Sequence, residues 1–219
     1  MKYAIKTTLL AILLSSASAT ALLAQDVLTL GTGVQTGSSV DIPVYVRDVS
    51  GTALGVDQPA GSKIQSYSIN VTYTTDPAIQ SVTFTRAGIL AGLTPTFETS
   101  PSSAGSITLL DTFNEATNLI PFVSNAAAPG NQIGHIVITF APGTVTSPVI
   151  TLTINPTLTQ LSNQGGTTTE TVANGRLTFV NGPPVIFAPV PVPTPTLDWR
   201  VLAVLGAILA FIGLRAARL

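Results

Sequence analysis

The chain offers few side chains that could carry out catalysis or ligate a metal ion. It has one histidine, His135, and no cysteine, so thiolate metal sites and disulfides are excluded. Ile136 and Ile138 follow His135 with the opposite phase of a strand, which predicts that the histidine faces solvent or another layer. No Gly-x-Ser-x-Gly elbow is present to carry a serine nucleophile. The sequence therefore predicts no catalytic residue, no cofactor and no metal site.

Carboxylates are the next candidates. Asp111, Asn114 and Glu115 form the densest oxygen-rich group, and with Asp76 or Asp57 they could hold a calcium ion at a strand end. Solvated turn residues are the favoured interpretation of this group. A pair of acids for glycoside hydrolysis is defined in space rather than in sequence, and the dispersed acids give no positive indication of one.

Sugar binding by stacking needs exposed aromatic faces, and these are scarce. The single tryptophan, Trp199, lies near the C-terminus. Tyr67 and Tyr73 share the apolar phase of one segment, which leaves Tyr45 as the main outward aromatic residue. Because single surface aromatics are common, we interpret Tyr45 as an ordinary exposed residue.

Charge limits the class of partner. Five of the nine basic residues lie in the terminal segments, so the middle of the chain has four bases against nine acids. Nucleic-acid binding needs a basic patch that displaces phosphate counterions. The sequence therefore excludes nucleic acid as the expected partner.

The elements that position these residues are strands, because alternation with a period of two runs from Val27 to Val180. The apolar phases comprise Val40, Ile42, Val44 and Val46; Tyr67, Ile69, Val71 and Tyr73; Ile150, Leu152 and Ile154; Val82 and Phe84; Ile107 and Leu109; Ile136, Ile138 and Phe140; and Leu177 and Phe179. This pattern predicts an all-β fold, a jelly-roll β-sandwich of about eight to nine strands. Pro43 inside one strand predicts an edge position for that strand.

The N-terminus has the order of a secretory signal peptide. Lys2 and Lys6 precede an apolar run over 9–14, and small residues follow over 15–21. We assign 1–24 to a signal helix that signal peptidase removes, with cleavage after Ala19, Ala21 or Ala24. The β-sandwich is then expected over 25–182.

A proline-rich segment at 183–195 is expected to be an extended linker that holds no sheet ladder. After it, Trp199 and Arg200 precede an apolar run over 201–214, and Arg215 and Arg218 follow. An interfacial aromatic and terminal positive charges around an apolar segment indicate a helix inserted in the inner membrane, with its C-terminus on the cytoplasmic side. Fourteen apolar residues are short for a stable span.

The run Pro195, Thr196, Leu197, Asp198 and Trp199, followed by a hydrophobic helix and arginines, resembles the Ile-Pro-Thr-Leu type of C-terminal sorting domain of exported Gram-negative proteins. The resemblance covers about 25 residues and implies that 196–219 is recognised by an exosortase-like membrane transpeptidase. A plain membrane anchor is the alternative.

The order of segments between the two ends resembles that of cohesin modules and their carbohydrate-binding-module relatives. Gly37, Ser38 and Ser39 lead into the valine-rich strand, and later Asp76 and Pro77 precede Gly88, Ile89 and Leu90. This resemblance implies a nine-stranded jelly roll without catalytic activity that binds a protein module or a polysaccharide.

The sequence thus predicts an exported binding module at the cell surface or in the extracellular matrix, at least transiently anchored in the inner membrane of a Gram-negative bacterium. Two alternatives stay open. The chain could be a structural adhesin or matrix subunit without a discrete ligand, or a glycan-active enzyme.

Overall fold

The computed structural model describes residues 24–144, 146–189, 200 and 203–208. The strands are β1 (Asp26–Leu30), β2 (Val34–Thr36), β3 (Ser39–Arg47), β4 (Ser66–Tyr73), β5 (Ile79–Arg86), β6 (Phe97–Thr99), β7 (Ser102–Ser103), β8 (Ser106–Thr112), β9 (Asn131–Phe140), β10 (Val149–Ile150), β11 (Leu152–Ile154), β12 (Gln160–Ser162), β13 (Thr169–Glu170), β14 (Leu177–Val180) and β15 (Val185–Ile186). A 3-10 helix spans Gly88–Leu90, and residues 203–208 are helical. None of the helices in this described part is long and apolar enough to cross a membrane.

Two sheets form the sandwich. Sheet A has the order β14-β1-β3-β9-β5, with β2 also paired to β3, and sheet B has the order β13-β12-β4-β8-β6, with β11 on β4 and β7 on β8. The chain crosses between the sheets repeatedly, and β1 pairs in parallel with β14 while its other neighbour, β3, is antiparallel. The predicted all-β sandwich is confirmed.

The inward phases of the two sheets form one core. A single hydrophobic cluster contains buried side chains from β3 and from β4: Val40, Ile42, Val44 and Val46 on β3, and Tyr67, Ile69 and Val71 on β4. Strict alternation of buried and wetter positions along β3 and β8 shows why the periodicity of two predicted these strands.

Pro43 does not lie on an edge strand, so that prediction is wrong. β3 is an interior strand between β1 and β9, but β1 and β2 leave a gap along one side of it. In that gap the Pro43 carbonyl accepts a hydrogen bond from Gly31 N at 2.8 Å. Since N and O of one strand residue point the same way, the missing N–H of Pro43 faces the gap and costs no ladder bond.

The strand pattern differs from the prediction in two places. The segment expected as one strand over 150–154 is divided, because Ile150 pairs with Val185 on β15 whereas Leu152–Ile154 pairs with β4. The extra short strands account for more strands than the eight or nine expected.

The sandwich also extends past residue 182, where the linker was expected to begin. Val185 and Ile186 hold a two-residue ladder with β10, and Phe187 is buried and stacks on Phe140 with ring centroids 4.2 Å apart. The prolines at 183 and 184 precede the ladder and remove none of its donors.

Candidate functional site

His135 lies where the sequence predicted it, on the outer face of sheet A. Its Nδ1 is 3.0 Å from Asp41 Oδ2 on the neighbouring strand β3, and the two side chains are 31% and 51% exposed. Among the described residues, no three His, Asp or Glu side chains are grouped so that they could hold a metal ion. The pair is a solvent-exposed contact between adjacent strands.

The structure does not bring the oxygen-rich group together. Asn114 accepts hydrogen bonds from the N–H groups of its own turn, and Glu115 accepts one from Gly61 N at 2.7 Å. Asp57 and Asp76 likewise accept loop N–H groups. The interpretation as turn residues is therefore confirmed for these four.

Asp111 is the exception, because it is buried rather than solvated. It has 1% exposure and accepts a short hydrogen bond from the Tyr67 hydroxyl. Arg86 Nε is 4.0 Å from Asp111 Oδ2 and pairs more closely with Glu98 through two bonds of 2.9 and 3.0 Å. Burial raises the pKa of Asp111 to about 6. Asp111 is therefore covered by Tyr67 and Arg86 and does not form an accessible pair of carboxylates with Glu98.

Three more buried carboxyl groups form a cluster that the sequence reasoning missed. Asp26, Asp48 and Glu170 are all fully buried. One oxygen of each group accepts a hydrogen bond from a backbone N–H. Asp26 Oδ1 accepts from Val49 at 2.8 Å. Asp48 Oδ2 accepts from Val56 at 2.8 Å, and Glu170 Oε1 accepts from Leu54 at 2.9 Å. Each carboxyl group therefore anchors the loop between β3 and β4.

The second oxygens of these groups, Asp26 Oδ2, Asp48 Oδ1 and Glu170 Oε2, find no N–H or O–H donor among the described residues. Burial, followed by the adjacent Glu170, raises the pKa of Asp26 to about 9. Burial also raises the pKa of Glu170 and of Asp48. Since Asp26 and Glu170 lie side by side, a proton on Asp26 lets it donate to Glu170 and satisfies both groups. The cluster is a structural clamp in which Asp26 carries a proton at neutral pH.

The outer face of sheet B has a different composition. Its outward positions are Ser66, Ser68, Asn70 and Thr72 on β4 and Ser106, Thr108, Leu110 and Thr112 on β8, together with Phe97 and Thr99 on β6 and Gln160 and Ser162 on β12. None of these twelve residues is charged, and all except the buried Asn70 and Ser162 are at least partly exposed. We call this surface the serine–threonine face.

Its polar side chains are held by one another across the strands. Ser66 Oγ and Thr112 Oγ1 are 2.8 Å apart, and Asn70 Nδ2 donates to Ser106 Oγ at 2.9 Å and to Thr108 Oγ1 at 2.7 Å. These cross-strand bonds fix the hydroxyl groups in one arrangement. The face is therefore ordered before any partner arrives.

Apolar side chains interrupt this polar surface. Leu110, opposite both Ser68 and Thr99, is half-buried near its middle. Phe97 is 56% exposed and lies opposite Thr112. Leu158 is also 56% exposed and is held next to Ser68, whose hydroxyl donates a hydrogen bond to the Leu158 carbonyl at 3.0 Å. The result is a small apolar centre and rim surrounded by hydroxyl groups.

The three tyrosines among the described residues lie in different environments. Tyr67 is buried, Tyr45 is half-buried on the outward phase of β3, and Tyr73 is half-buried at the end of β4. The predicted sorting motif from Pro195 to Trp199 lies outside the described residues.

Comparison with known proteins gives structural likenesses alone. No protein-family model matches the chain, and no curated protein matches it. Among solved structures, the third cohesin of ScaC from Acetivibrio cellulolyticus, in complex with the ScaB dockerin, is 16% identical with a TM-score of 0.47, over 72% of this chain and 96% of that one. The type I cohesin–dockerin complex Coh-OlpC-Doc435 from Clostridium thermocellum gives 12% identity and a TM-score of 0.46, over 76% and 96%. The Actinomyces fimbrial adhesin FimA gives 15% and 0.30, over 79% and 53%.

Proposed function

We propose that this chain is an exported, non-catalytic binding module that engages a protein partner through the serine–threonine face. The observation that carries the proposal is the composition of that face, which has an exposed apolar rim and a half-buried apolar centre among ordered, uncharged hydroxyl groups. Interface cores are depleted of charged residues and contain aromatic and aliphatic anchors. Energetically important contacts are also surrounded by a polar ring that excludes water.

The preordered hydroxyl groups favour a folded partner over a flexible one. Because Ser66, Thr112 and Asn70 already have partners on neighbouring strands, binding costs little side-chain ordering on this side of the interface. Ser66 and Thr112 are half-buried, so the remaining lone pairs of their hydroxyl groups can still accept hydrogen bonds from the partner.

Export is the second part of the proposal. It is supported by the signal-like order of 1–24 and by the charge and hydropathy of 196–219. Signal peptidase removes the first segment, and an exosortase-like enzyme acts near Leu197. The module then works at the cell surface or beyond it, after at least a transient stay in the inner membrane.

The enzyme alternative gains no support from the buried acids. Asp111 lies beneath Tyr67 and Arg86, and Asp26, Asp48 and Glu170 are fully buried. A glycosidase needs two carboxyl groups on either side of a bound sugar, and no substrate can reach these four.

A polymerising matrix subunit remains a second candidate because β5 is the edge strand of sheet A. It is eight residues long and carries exposed Gln80, Ser81, Thr83 and Thr85. An unpaired edge can accept a strand from another copy. Ala87 N donates to the Ile133 carbonyl of β9, so by strand alternation the N–H of Val82 points to the free edge. Concentration-dependent oligomers in sedimentation, abolished by Val82→Pro, are the result that would favour this candidate.

The binding proposal is tested in two steps. Chemical cross-linking of the full chain in its native host identifies the partner, and calorimetry with that partner, purified without cross-linker, measures the affinity. Phe97→Arg places a charge on the apolar rim and is expected to weaken binding by about tenfold or more. Val34→Arg is the matched control, since it introduces the same charge at a residue that is 63% exposed on the outer face of sheet A. Binding through the serine–threonine face would be refuted if wild type and Phe97→Arg bound the partner with equal affinity, or if the control variant lost binding.

A further inference from the structure

A cleft lies at the end of the sandwich that is remote from Phe97. It is about 550 Å³ in volume and is bounded by the end of β4, the turn into β5, the start of β5 and the hairpin between β7 and β8. Phe97 pairs near the far end of β8, opposite Thr112, whereas the hairpin at Ser103 adjoins its first residue, Ser106. The cleft therefore adjoins the end of the serine–threonine face at Thr72 and Ser106 and is remote from the apolar rim at Phe97.

The floor of the cleft is apolar. Tyr73, Ile79 and Val82 line it and pack against the hydrophobic core while remaining partly exposed. The Tyr73 hydroxyl donates to the Ser103 carbonyl at 3.3 Å, and Tyr73 N donates to the Gly105 carbonyl at 2.9 Å. These two bonds hold the aromatic ring against the hairpin and fix its orientation.

The rim of the cleft is polar and almost uncharged. Thr75, Gln80, Ser81 and Ser102 supply hydroxyl and amide groups. Asp76 is the single carboxylate among the lining residues, and no lysine, arginine or histidine is among them. Asp76 Oδ1 accepts Ala78 N at 2.8 Å, which leaves the second carboxylate oxygen available as an acceptor.

This combination selects a class of ligand. A phosphate, sulfate or uronate would meet Asp76 without a compensating cation, so anionic ligands are disfavoured. One carboxylate is too few for a calcium site. A sugar ring instead offers an apolar C–H face to the tyrosine floor and hydroxyl groups to the acceptors and donors of the rim.

We propose that the cleft between β5 and the β7–β8 hairpin binds a neutral polysaccharide, with Tyr73 as the stacking platform and Asp76 and Gln80 as the hydrogen-bonding groups. The site goes beyond the proposed protein-binding function and fails or succeeds independently of it, because Phe97 takes no part in it. A surface protein with both sites could hold a partner protein and a neutral matrix glycan at the same time.

The test is isothermal titration calorimetry on the full chain in a detergent without a sugar headgroup. The probes are hexaoses of β-1,4-glucose, β-1,3-glucose, β-1,4-mannose and β-1,4-N-acetylglucosamine, with an oligogalacturonate as the anionic comparison. We expect at least one neutral hexaose to bind and the oligogalacturonate not to bind. Tyr73→Ala should weaken the binding by about tenfold, the loss expected when an aromatic contact is removed.

Two further variants keep the test decisive if Tyr73→Ala fails to fold. Ala104→Leu places a larger, non-aromatic side chain at an exposed cleft position and should weaken binding strongly, and Gln80→Ala should weaken it by severalfold. Tyr45→Ala on the outer face of sheet A is the matched aromatic control and should leave the affinity unchanged. The proposal is overturned if no neutral hexaose binds at millimolar concentration, if oligogalacturonate binds as well, or if folded Ala104→Leu and Gln80→Ala bind as tightly as wild type.

Discussion

Replacing Asp26 by asparagine should stabilise the protein at neutral pH, although it alters a fully buried residue. Asp26 has a pKa of about 9 in the folded chain against an ordinary value of 3.8, chiefly because burial disfavours the charged carboxylate. At pH 7 folding therefore takes up a proton at this site. The cost is about 1.4 kcal/mol for each of roughly three pH units between 3.8 and 7, or on the order of 4 kcal/mol.

Asparagine is neutral without taking up a proton. Its carbonyl oxygen can accept Val49 N, as Asp26 Oδ1 does at 2.8 Å, and its amide can donate to the Glu170 carboxylate. The sign follows from linkage. A raised carboxyl pKa gives stability that is complete below pH 3.8 and is lost as pH rises toward about 9, so wild type weakens over this range.

The assay is urea unfolding of the full chain, followed by far-UV circular dichroism at pH 5, 6, 7 and 8. The free energy of unfolding of Asp26→Asn should exceed that of wild type at pH 7 by up to about 4 kcal/mol, with a slope shallower by about 1.4 kcal/mol per pH unit. Asp76→Asn, at a half-buried acid outside the cluster that accepts a hydrogen bond from Ala78 N at 2.8 Å, should leave the slope unchanged. A variant that is less stable than wild type at pH 7 with an unaltered slope would refute a protonated Asp26.

Three other substitutions test separate features of the chain. Tyr67→Phe removes the hydrogen-bond donor to buried Asp111 and should lower the free energy of unfolding in urea by about 1–3 kcal/mol. The loss should be larger above pH 6 than below it, because the carboxylate that loses its donor is ionised there. An equal loss at pH 5 and pH 8 would contradict this. Phe187→Ala should cost about 3–5 kcal/mol, since the ring is buried on Phe140, and no loss of stability would show that the sandwich ends before it. Leu197→Ala should abolish a mature mass that ends between residues 195 and 197; a wild-type protein that keeps Arg218 would favour the plain anchor.

The strands of the core were predictable because their period is local. Val40, Ile42, Val44 and Val46 alternate in the sequence as they do in the structure, and burial on one face is enough to impose that alternation. The short strands were not predictable in the same way, since β15 has two residues and depends on pairing with the distant β10.

The buried carboxyl cluster was missed, although the sequence carries an indication of it. Asp26 has the same phase as Leu28 and Leu30, and Asp48 continues the phase of Val44 and Val46. Asp111 likewise follows Ile107 and Leu109. An acid on the apolar phase of a strand predicts burial with an altered pKa, but its partner cannot be read from local sequence, because Glu170 meets Asp26 only through the fold.

The serine–threonine face was predictable in part. The polar phase of β4, Ser66, Ser68 and Thr72, is visible in the alternation, but its pairing with the polar phase of β8 depends on register. The exposed positions of Phe97 and Leu158 were not predictable, because neither belongs to an alternating segment. The cleft at Tyr73 joins residues that are about thirty positions apart in the chain.

Binding through the serine–threonine face is tested most directly by hydrogen–deuterium exchange of the full chain, free and bound to the protein partner that cross-linking identifies. We expect added protection over β6, over β4 and β8, and in the segment around Leu158 that leads into β12, with β3 and β9 unchanged. Protection confined to β3, β5 and β9 would place the partner on sheet A and contradict binding through the serine–threonine face.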